Sequence, residues 1–400
     1  MASFHDFQLC TSSHRALVDL GICTPTAIQE RAIPILLGGR DVIGQAQTGS
    51  GKTLAFGLPL MERCDGQQRQ VQALVLTPTR ELARQVGQVL AALGKGSGIK
   101  VALVYGGRPF GPQEAALAGG AQVVVGTPGR VLDHLKRGTL QLKLLRMLVL
   151  DEADNMLDQG FAPDVERIVA RTPRSRQTAL FSATMPSWVQ RIGAKHLSDP
   201  EVLVAEEGDG SDPDIDHAVV EAYTEDKFQV LRRLLDEPAA GATLVFGRTK
   251  RGVRNLGERL QAQGYRVAVL QGNLDQKARD RALEEFRSGR VPILVATNVA
   301  ARGLDILHVE RVINYELPET HELFTHRVGR TGRMGRTGRA ITLVSAADLS
   351  KWQAIERGLG RRLPRVSPTG EPAPRPQTTS RMRMPSTWRR RGWSRPRVRA

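Results

Sequence analysis

The sequence predicts an α/β protein of two tandem domains, each a mostly parallel sheet flanked by helices, followed by a basic tail without periodic structure. Three observations lead there. Short runs rich in Val, Leu and Ile recur, each followed by a turn and an amphipathic stretch. Continuous apolar runs of this length suit strands buried on both faces, and their alternation with helices implies parallel pairing. The rhythm breaks at 206–216, EEGDGSDPDID, where six acids, no bases, two glycines and a proline make a linker composition. Beyond Arg362 the periodicity ends and Pro, Arg, Ser and Thr take over. The expected organisation is a first domain at 1–205, an acidic hinge at 206–217, a second domain at 218–362 and a disordered tail at 363–400.

Taken in order, residues 41–44 read as a first strand, and 73–77, 101–105, 122–126, 147–150 and 178–181 complete the first sheet. After the linker, 243–246, 266–270, 293–296, 311–314 and 340–344 supply the second. Four hundred residues are enough for two separate cores. No apolar run is long enough to span a bilayer, and the N-terminus lacks a charged region followed by an apolar one, so the expectation is a cytoplasmic protein without membrane partners. Cys10, Cys23 and Cys64 lie far apart without metal-ligand spacing and read as reduced thiols.

The net charge of +16 is unevenly spread, because residues 361–400 contain twelve arginines and one acid, Glu371. A polyanionic partner follows naturally, since neutralising phosphates releases counterions without any sequence readout. Trp388 and Trp393 stand among those arginines and suit stacking on exposed bases. The alternative is a solvated tail without a role, because its composition also resembles a GC-rich reading frame out of register.

Three stretches carry chemistry. In GQAQTGSGKT, at 44–53, Gly49 and Gly51 let backbone N–H groups approach phosphate oxygens at the start of a helix, with Thr48 and Ser50 in the same cradle. Lys52 is expected to reach the β- and γ-phosphates and the Thr53 hydroxyl to ligate Mg²⁺. Taken alone, such a loop also occurs as an ordinary turn before a helix. The second stretch shifts the balance. The apolar run 147–150 ends in Asp151-Glu152-Ala153-Asp154, which places Asp151 as the metal contact and Glu152 to orient and deprotonate an attacking water. Third is HRVGRTGR at 326–333, whose arginines recur every third residue and suit charge stabilisation on a transferring phosphoryl group. The Gly/Arg spacing continues through Arg339, so a flexible RNA-binding segment is the competing reading.

Together these blocks resemble the DEAD-box RNA helicases, over residues 4 to about 350. AQTGSGKT at 46–53 is that family's form of the loop, with alanine leading. Phe4 and GICTPTAIQ at 21–29, PTRELA at 78–83, Gly106-Gly107, TPGR at 127–130, DEAD at 151–154 and SAT at 182–184 follow in order. Val245-Phe246 with Thr249, Gln276-x-x-Arg279, TNVAARGLD at 297–305 and the arginine block continue it. The resemblance implies two RecA-like domains and ATP as the nucleotide, with Gln29 on the adenine edge and Phe4 stacked on the ring. It implies Arg330 and Arg333 at the γ-phosphate, Asp305 near the ribose, and Ser182 and Thr184 coupling hydrolysis to strand separation. RNA contacts are implied for Thr79, Arg80, Gly107, Thr127, Arg130, Arg279 and Thr297, all suited to phosphate and 2′-OH groups rather than base edges.

Two departures stand out: Asn298 where many members have Asp, and Gln271-Gly-Asn273 in place of His-Gly-Asp. The expected activity is RNA-stimulated ATP hydrolysis coupled to domain closure and local unwinding of short duplexes. An ATP-gated RNA clamp or annealer, and a tail-driven RNA-binding scaffold, are the rival readings. Ribosome assembly and RNA decay are both open as settings.

Overall fold

The computed structural model describes residues 3–46, 49–204, 215–239, 241–301, 309–332 and 337–366. Thr48, Asp305, Arg333, most of the acidic hinge and nearly all of the tail lie outside the described residues.

Among the described residues the strands form two seven-stranded sheets with every pairing parallel. The first contains β1 (Val42–Gln45), β2 (Ala73–Leu76), β3 (Val101–Val104), β4 (Val123–Gly126), β5 (Met147–Leu150), β6 (Gln177–Ser182) and β7 (Glu201–Val204), in the order β3-β4-β2-β5-β6-β1-β7. The second contains β8 (Ile215–Glu221), β9 (Ala242–Gly247), β10 (Val267–Leu270), β11 (Ile293–Thr297), β12 (Val309–Asn314), β13 (Gly338–Val344) and β14 (Arg365–Val366), in the order β10-β11-β9-β12-β13-β8-β14.

The apolar runs behave as buried parallel strands must. On β2, Ala73 and Val75 join one apolar cluster while Leu74 and Leu76 join another on the opposite face. Side chains two apart share a face, so a strand covered by helices on both sides has no use for a polar position. The second sheet divides likewise, with Val245 in one cluster and Leu244 and Phe246 in the other.

β7, β8 and β14 have no counterpart in the sequence-based assignment. β7 is an edge strand whose Val202 and Val204 are exposed, so it lacks the continuous apolar run of its neighbours. β8 starts at Ile215, which takes the last residues of the acidic stretch into the second sheet. β14 has two residues, too few to show any period, and Arg365 fastens it through ion pairs to Glu356 and Glu221.

Strand order also positions the chemistry. β5, β6 and β1 are neighbours, and β1 aligns Gln45 with Ser182 of β6. The carboxyl ends of these three strands therefore open side by side, where ligands bind in an open parallel sheet.

Candidate active site and nucleic-acid interface

The loop after β1 is shaped for close approach to phosphate. Gly49 and Gly51 have φ of 94° and 92°, a region open to glycine at little cost. A Cβ on Gly51 would stand 2.5 Å from Gln29 Nε2 and 2.8 Å from Thr26 Oγ1. The tightness has a cause: Thr26 Oγ1 donates to the Ser50 carbonyl at 2.8 Å and Gln29 Nε2 to the Gly51 carbonyl at 3.0 Å. Gln29 Oε1 meanwhile accepts from the Thr26 N–H. The glutamine expected at the adenine edge is thus wired to the phosphate loop. Phe4 is 4% exposed and packs in the first-domain core, edge-on to Phe7.

Lys52 opens the helix Lys52–Arg63, and its ammonium donates to the Ala46 carbonyl at 2.8 Å, spanning the loop from the end of the cradle to its start. Thr53 follows it in the first turn. Asp151, at the end of β5, is 2% exposed, and its Oδ1 has no hydrogen-bond partner among the described residues. Burial, with Glu152 and Asp154 adding to it, pushes its carboxyl up to about 7 against the pull of Lys52. An orphaned buried carboxylate oxygen is what a cation would satisfy. Among the described residues there is no group of three or more His, Cys, Asp or Glu side chains able to hold a metal ion. A cation here would draw most of its shell from phosphate and water, which is the habit of Mg²⁺.

This burial has a pH consequence. The folded pKa lies above the ordinary 3.8, so between these values the folded protein binds more protons than the unfolded chain and stability declines as pH rises. Asp151→Asn removes the ionisation. In metal-free protein, the melting temperature of the variant is expected to gain on that of the wild type from about pH 5 to about pH 7.5; a constant difference would contradict the burial argument.

Glu152 has φ 54° and ψ 54°, one of two non-glycine residues with positive φ among the described residues. Such backbone costs on the order of 1–3 kcal/mol and persists where surrounding contacts impose it. Here Asn155 Nδ2 donates to Glu152 Oε2 at 2.9 Å. Asp154, to which the sequence reading gave no role, clamps the end of β6. Its Oδ2 accepts from the Ala183 N–H, the Thr184 N–H and the Thr184 hydroxyl at 3.1, 2.8 and 3.0 Å, and its own N–H donates to Ser182 Oγ. The two expected coupling residues are therefore fastened to the residue after next from Glu152. The signal was present in the fourth letter of the DEAD block.

In the second domain the arginine block divides. Arg327, on the helix His321–Val328, is 2% exposed and turns into the domain. It donates to Asn298 Oδ1, Asn314 Oδ1 and the Glu316 carbonyl, and lies 5.0 Å from the Phe246 ring centroid. Burial pulls its pKa down to about 9, with Glu316 and Glu319 opposing. The spacing suits all three arginines to a phosphoryl group; Arg327 instead ties the residue that follows β11, the end of β12 and its own helix together. Asn298 serves because this arginine needs an acceptor there, and an amide oxygen is one. Arg330 is buried beyond the helix end and donates to the His326 carbonyl at 3.3 Å. Arg327→Ala is expected to destabilise the second domain by roughly 3 kcal/mol, since it orphans buried acceptors. Denaturant unfolding would register this as a lower midpoint, and a change under about 0.5 kcal/mol would refute it.

The Gln271-Gly-Asn273 departure is also accommodated, with Lys250 Nζ donating to Asn273 Oδ1 at 2.9 Å and Gln271 Oε1 accepting the Asn273 N–H at 2.7 Å.

The residues expected at RNA sit where strands turn into helices. Thr79 caps the helix Arg80–Gly94 by accepting from the Leu82 N–H, Thr127 precedes the helix Pro128–Arg137, and Thr297 ends β11. Gly107 has φ 80°, and a Cβ there would fall 2.1 Å from Arg80 Nη1, so the glycine makes room for the arginine. Arg80 and Arg279 do not lie apart. Arg80 Nη1 donates to Gln276 Oε1 at 2.8 Å, and Arg279 donates through Nε and Nη2 to Glu81 Oε1 at 3.0 and 2.7 Å. Arg84 and Arg108 both pair with Asp280. The helix Gln276–Arg287 of the second domain thus docks on the helix Arg80–Gly94 of the first through polar groups that local sequence reading does not join.

Comparison with known proteins decides the family. Residues 26–192 match the DEAD/DEAH box helicase family and residues 226–335 the helicase conserved C-terminal domain. The DEAD-box ATP-dependent RNA helicase CshA of Geobacillus kaustophilus (strain HTA426) is 44% identical over 368 residues, covering 92% of this chain and 79% of that protein. This chain belongs to the DEAD-box ATP-dependent RNA helicases. DeaD of Klebsiella pneumoniae, an ATP-dependent RNA helicase, is 46% identical over 91% of this chain and 57% of its own length. Among solved structures, S. cerevisiae Dbp5 bound to RNA and ADP BeF3 matches with TM-score 0.85 and 35% identity, over 92% of this chain and 96% of that one. The score spans both domains, so the agreement includes their relative placement. A DEAD box protein from the hyperthermophile Methanococcus jannaschii matches with TM-score 0.54 and 37% identity, over 91% and 99%.

As a DEAD-box helicase the chain hydrolyses ATP and binds RNA, and its two sheets are the tandem RecA-like domains of that family. Among the described residues no helix is long and apolar enough to cross a membrane.

Proposed function

We propose that this helicase acts by RNA-gated domain closure, which pries short duplexes apart locally and without processive travel. The carrying observation is the polar contact across the cleft, where Arg80 meets Gln276 and Arg279 meets Glu81. Residues suited to RNA phosphates on both domains lie within reach of one another, so a single strand laid along that edge touches both. A ligand that binds both domains favours the closed state, and ATP and RNA then reinforce each other's binding reciprocally.

In the closed state Lys52 and the loop backbone hold the triphosphate. Asp151 and Thr53 would hold Mg²⁺, which when bound offsets the charge on the phosphate oxygens. Glu152, fixed by Asn155, takes the proton from the attacking water. Arg330, with Arg333, meets the charge that develops on the γ-phosphoryl group. Asp154 carries the change at the site to Ser182 and Thr184, and loss of phosphate lets the domains part. Contacts to backbone rather than bases make the action independent of RNA sequence.

The test compares steady-state ATP hydrolysis with no nucleic acid, with single-stranded RNA and with DNA of the same sequence. Stimulation by RNA alone supports the proposal, and equal stimulation by DNA refutes the RNA gate. Removing residues 367–400 is expected to raise the half-stimulating RNA concentration and flatten its salt dependence while hydrolysis persists. If RNA stimulation disappears with the tail while basal hydrolysis persists, the tail and not the cleft carries the RNA, as the scaffold reading has it.

A further inference from the structure

Arg130, His134 and Arg137 lie on one side of the helix Pro128–Arg137, since four and seven residues are about one and two turns. Phe110, the first residue of the helix Phe110–Ala118, sets its ring against that side. The ring centroid is 5.0 Å from that of the buried His134, with the planes 54° apart. The guanidinium carbons of Arg130 and Arg137 stand 4.0 and 3.6 Å from the Phe110 centroid. Two such groups that close to one centroid would overlap on a shared face, so they flank the ring. Each negative face of the ring therefore holds a cation.

The two arginines are otherwise held differently. Arg137 has a carboxylate partner in Glu114 at 3.5 Å. Among the described residues Arg130 donates to the Arg108 carbonyl at 2.8 Å and forms no ion pair within 4.0 Å. Asp133 acts on it only at longer range, while Arg80 and Arg137 press like charge toward it. A guanidinium carries five N–H donors in a rigid fork. One is used by Arg108, one face is covered by Phe110, and the excess positive charge around the rest favours an anion. His134 beneath adds no further charge, since burial and the nearby arginines keep its ring from protonating readily.

We propose that Phe110 is a positioning residue for RNA: its ring fixes the Arg130 guanidinium in the plane from which it grips an RNA phosphate, with Arg137 closing the ring's other face. This rests on the reading of Arg130 as an RNA contact. The residue differs in kind from the hydroxyl, glycine and arginine positions of the motif blocks, because it acts through a neighbour and touches no RNA itself.

The test measures RNA-stimulated ATP hydrolysis against RNA concentration for Phe110→Leu, Phe110→Tyr, Arg130→Ala and the Phe110→Leu/Arg130→Ala pair. Leucine keeps an apolar side chain and removes the π faces, and Phe110→Met does the same should leucine lower the melting temperature. Phe110→Leu is expected to raise the half-stimulating RNA concentration about 3- to 10-fold with the plateau rate held, the size set by a partly exposed cation–π contact. Tyrosine should restore it. In the Arg130→Ala background the leucine change should add nothing, because its effect passes through that arginine. Additive losses would show that Phe110 acts through the fold and overturn the proposal, as would a Phe110→Leu curve that overlays the wild type. If Arg130→Ala itself leaves the curve unmoved, the RNA role of Arg130 fails and the positioning role goes with it. If only the phenylalanine variants are silent, the RNA role stands and the positioning role alone is lost.

Discussion

Glu152→Gln is expected to lower RNA-stimulated ATP turnover by about 10²- to 10⁴-fold, the usual worth of a positioned general base, while ATP still binds. The side chain sits at the end of β5 on a left-handed backbone, and Asn155 Nδ2 donates to one of its oxygens. Glutamine retains an oxygen for Asn155, so the local hydrogen bond survives the change. What is lost is the carboxylate's capacity to accept the water's proton. Because Lys52, Thr53 and Asp151 remain, nucleotide affinity should hold within about threefold while phosphate release slows by that larger factor. Single-turnover phosphate release alongside titration of a fluorescent ATP analogue separates these quantities. A variant that turns over at near wild-type rate would remove Glu152 from the role of base, and one that fails to bind ATP would make it part of the cradle.

Loss of the pair between Glu81 and Arg279 should appear as loss of coupling rather than of fold. Both side chains are nearly covered in the docked arrangement, 4% and 11% exposed, with their shortest contact at 2.7 Å. Breaking a buried pair by removing one partner costs about 3–5 kcal/mol because the other charge is left without compensation. Here the penalty falls on the docked state alone, since domains that separate return Arg279 to water. Glu81→Ala should therefore weaken the enhancement of RNA binding by an unhydrolysed ATP analogue by on the order of 10²-fold. RNA affinity without nucleotide should move far less, and so should the melting temperature. Glu81→Gln, which keeps an acceptor, should lie between. The exchange Glu81→Arg with Arg279→Glu offers a rescue, and measuring both singles with the double isolates the pair. Unchanged nucleotide enhancement in Glu81→Ala would mean that docking does not depend on this contact.

The legible and illegible parts of the site differ in kind. Asp151 was readable because it ends an apolar run that suits a buried strand, and Lys52 because the glycines before it mark a backbone that other residues resist. Asp154 was in plain view yet without a role, because its partners Ala183 and Thr184 enter only when β6 lies beside β5. The spacing of the arginine block suits all three arginines equally to a phosphoryl group. Which arginine turns inward depends on Asn298, just after β11, and Asn314, at the end of β12, and spacing holds no record of that.

By itself the sequence determined the two α/β domains and the family, and it put a glycine loop and the carboxylates of the DEAD block just after strands, since each rests on neighbours in the chain: an apolar run, a glycine turn, a carboxylate at a strand end. Tertiary structure decided what meets across the fold. Glu81 and Arg279 are 198 residues apart, and no local period relates them. Phe110 takes its place between two arginines only because the fold brings the first residue of its helix to the side chains of theirs. A backbone signal is felt within a few residues, whereas an ion pair or a stacked ring is set by the packing of whole elements, and only the folded chain brings those elements together.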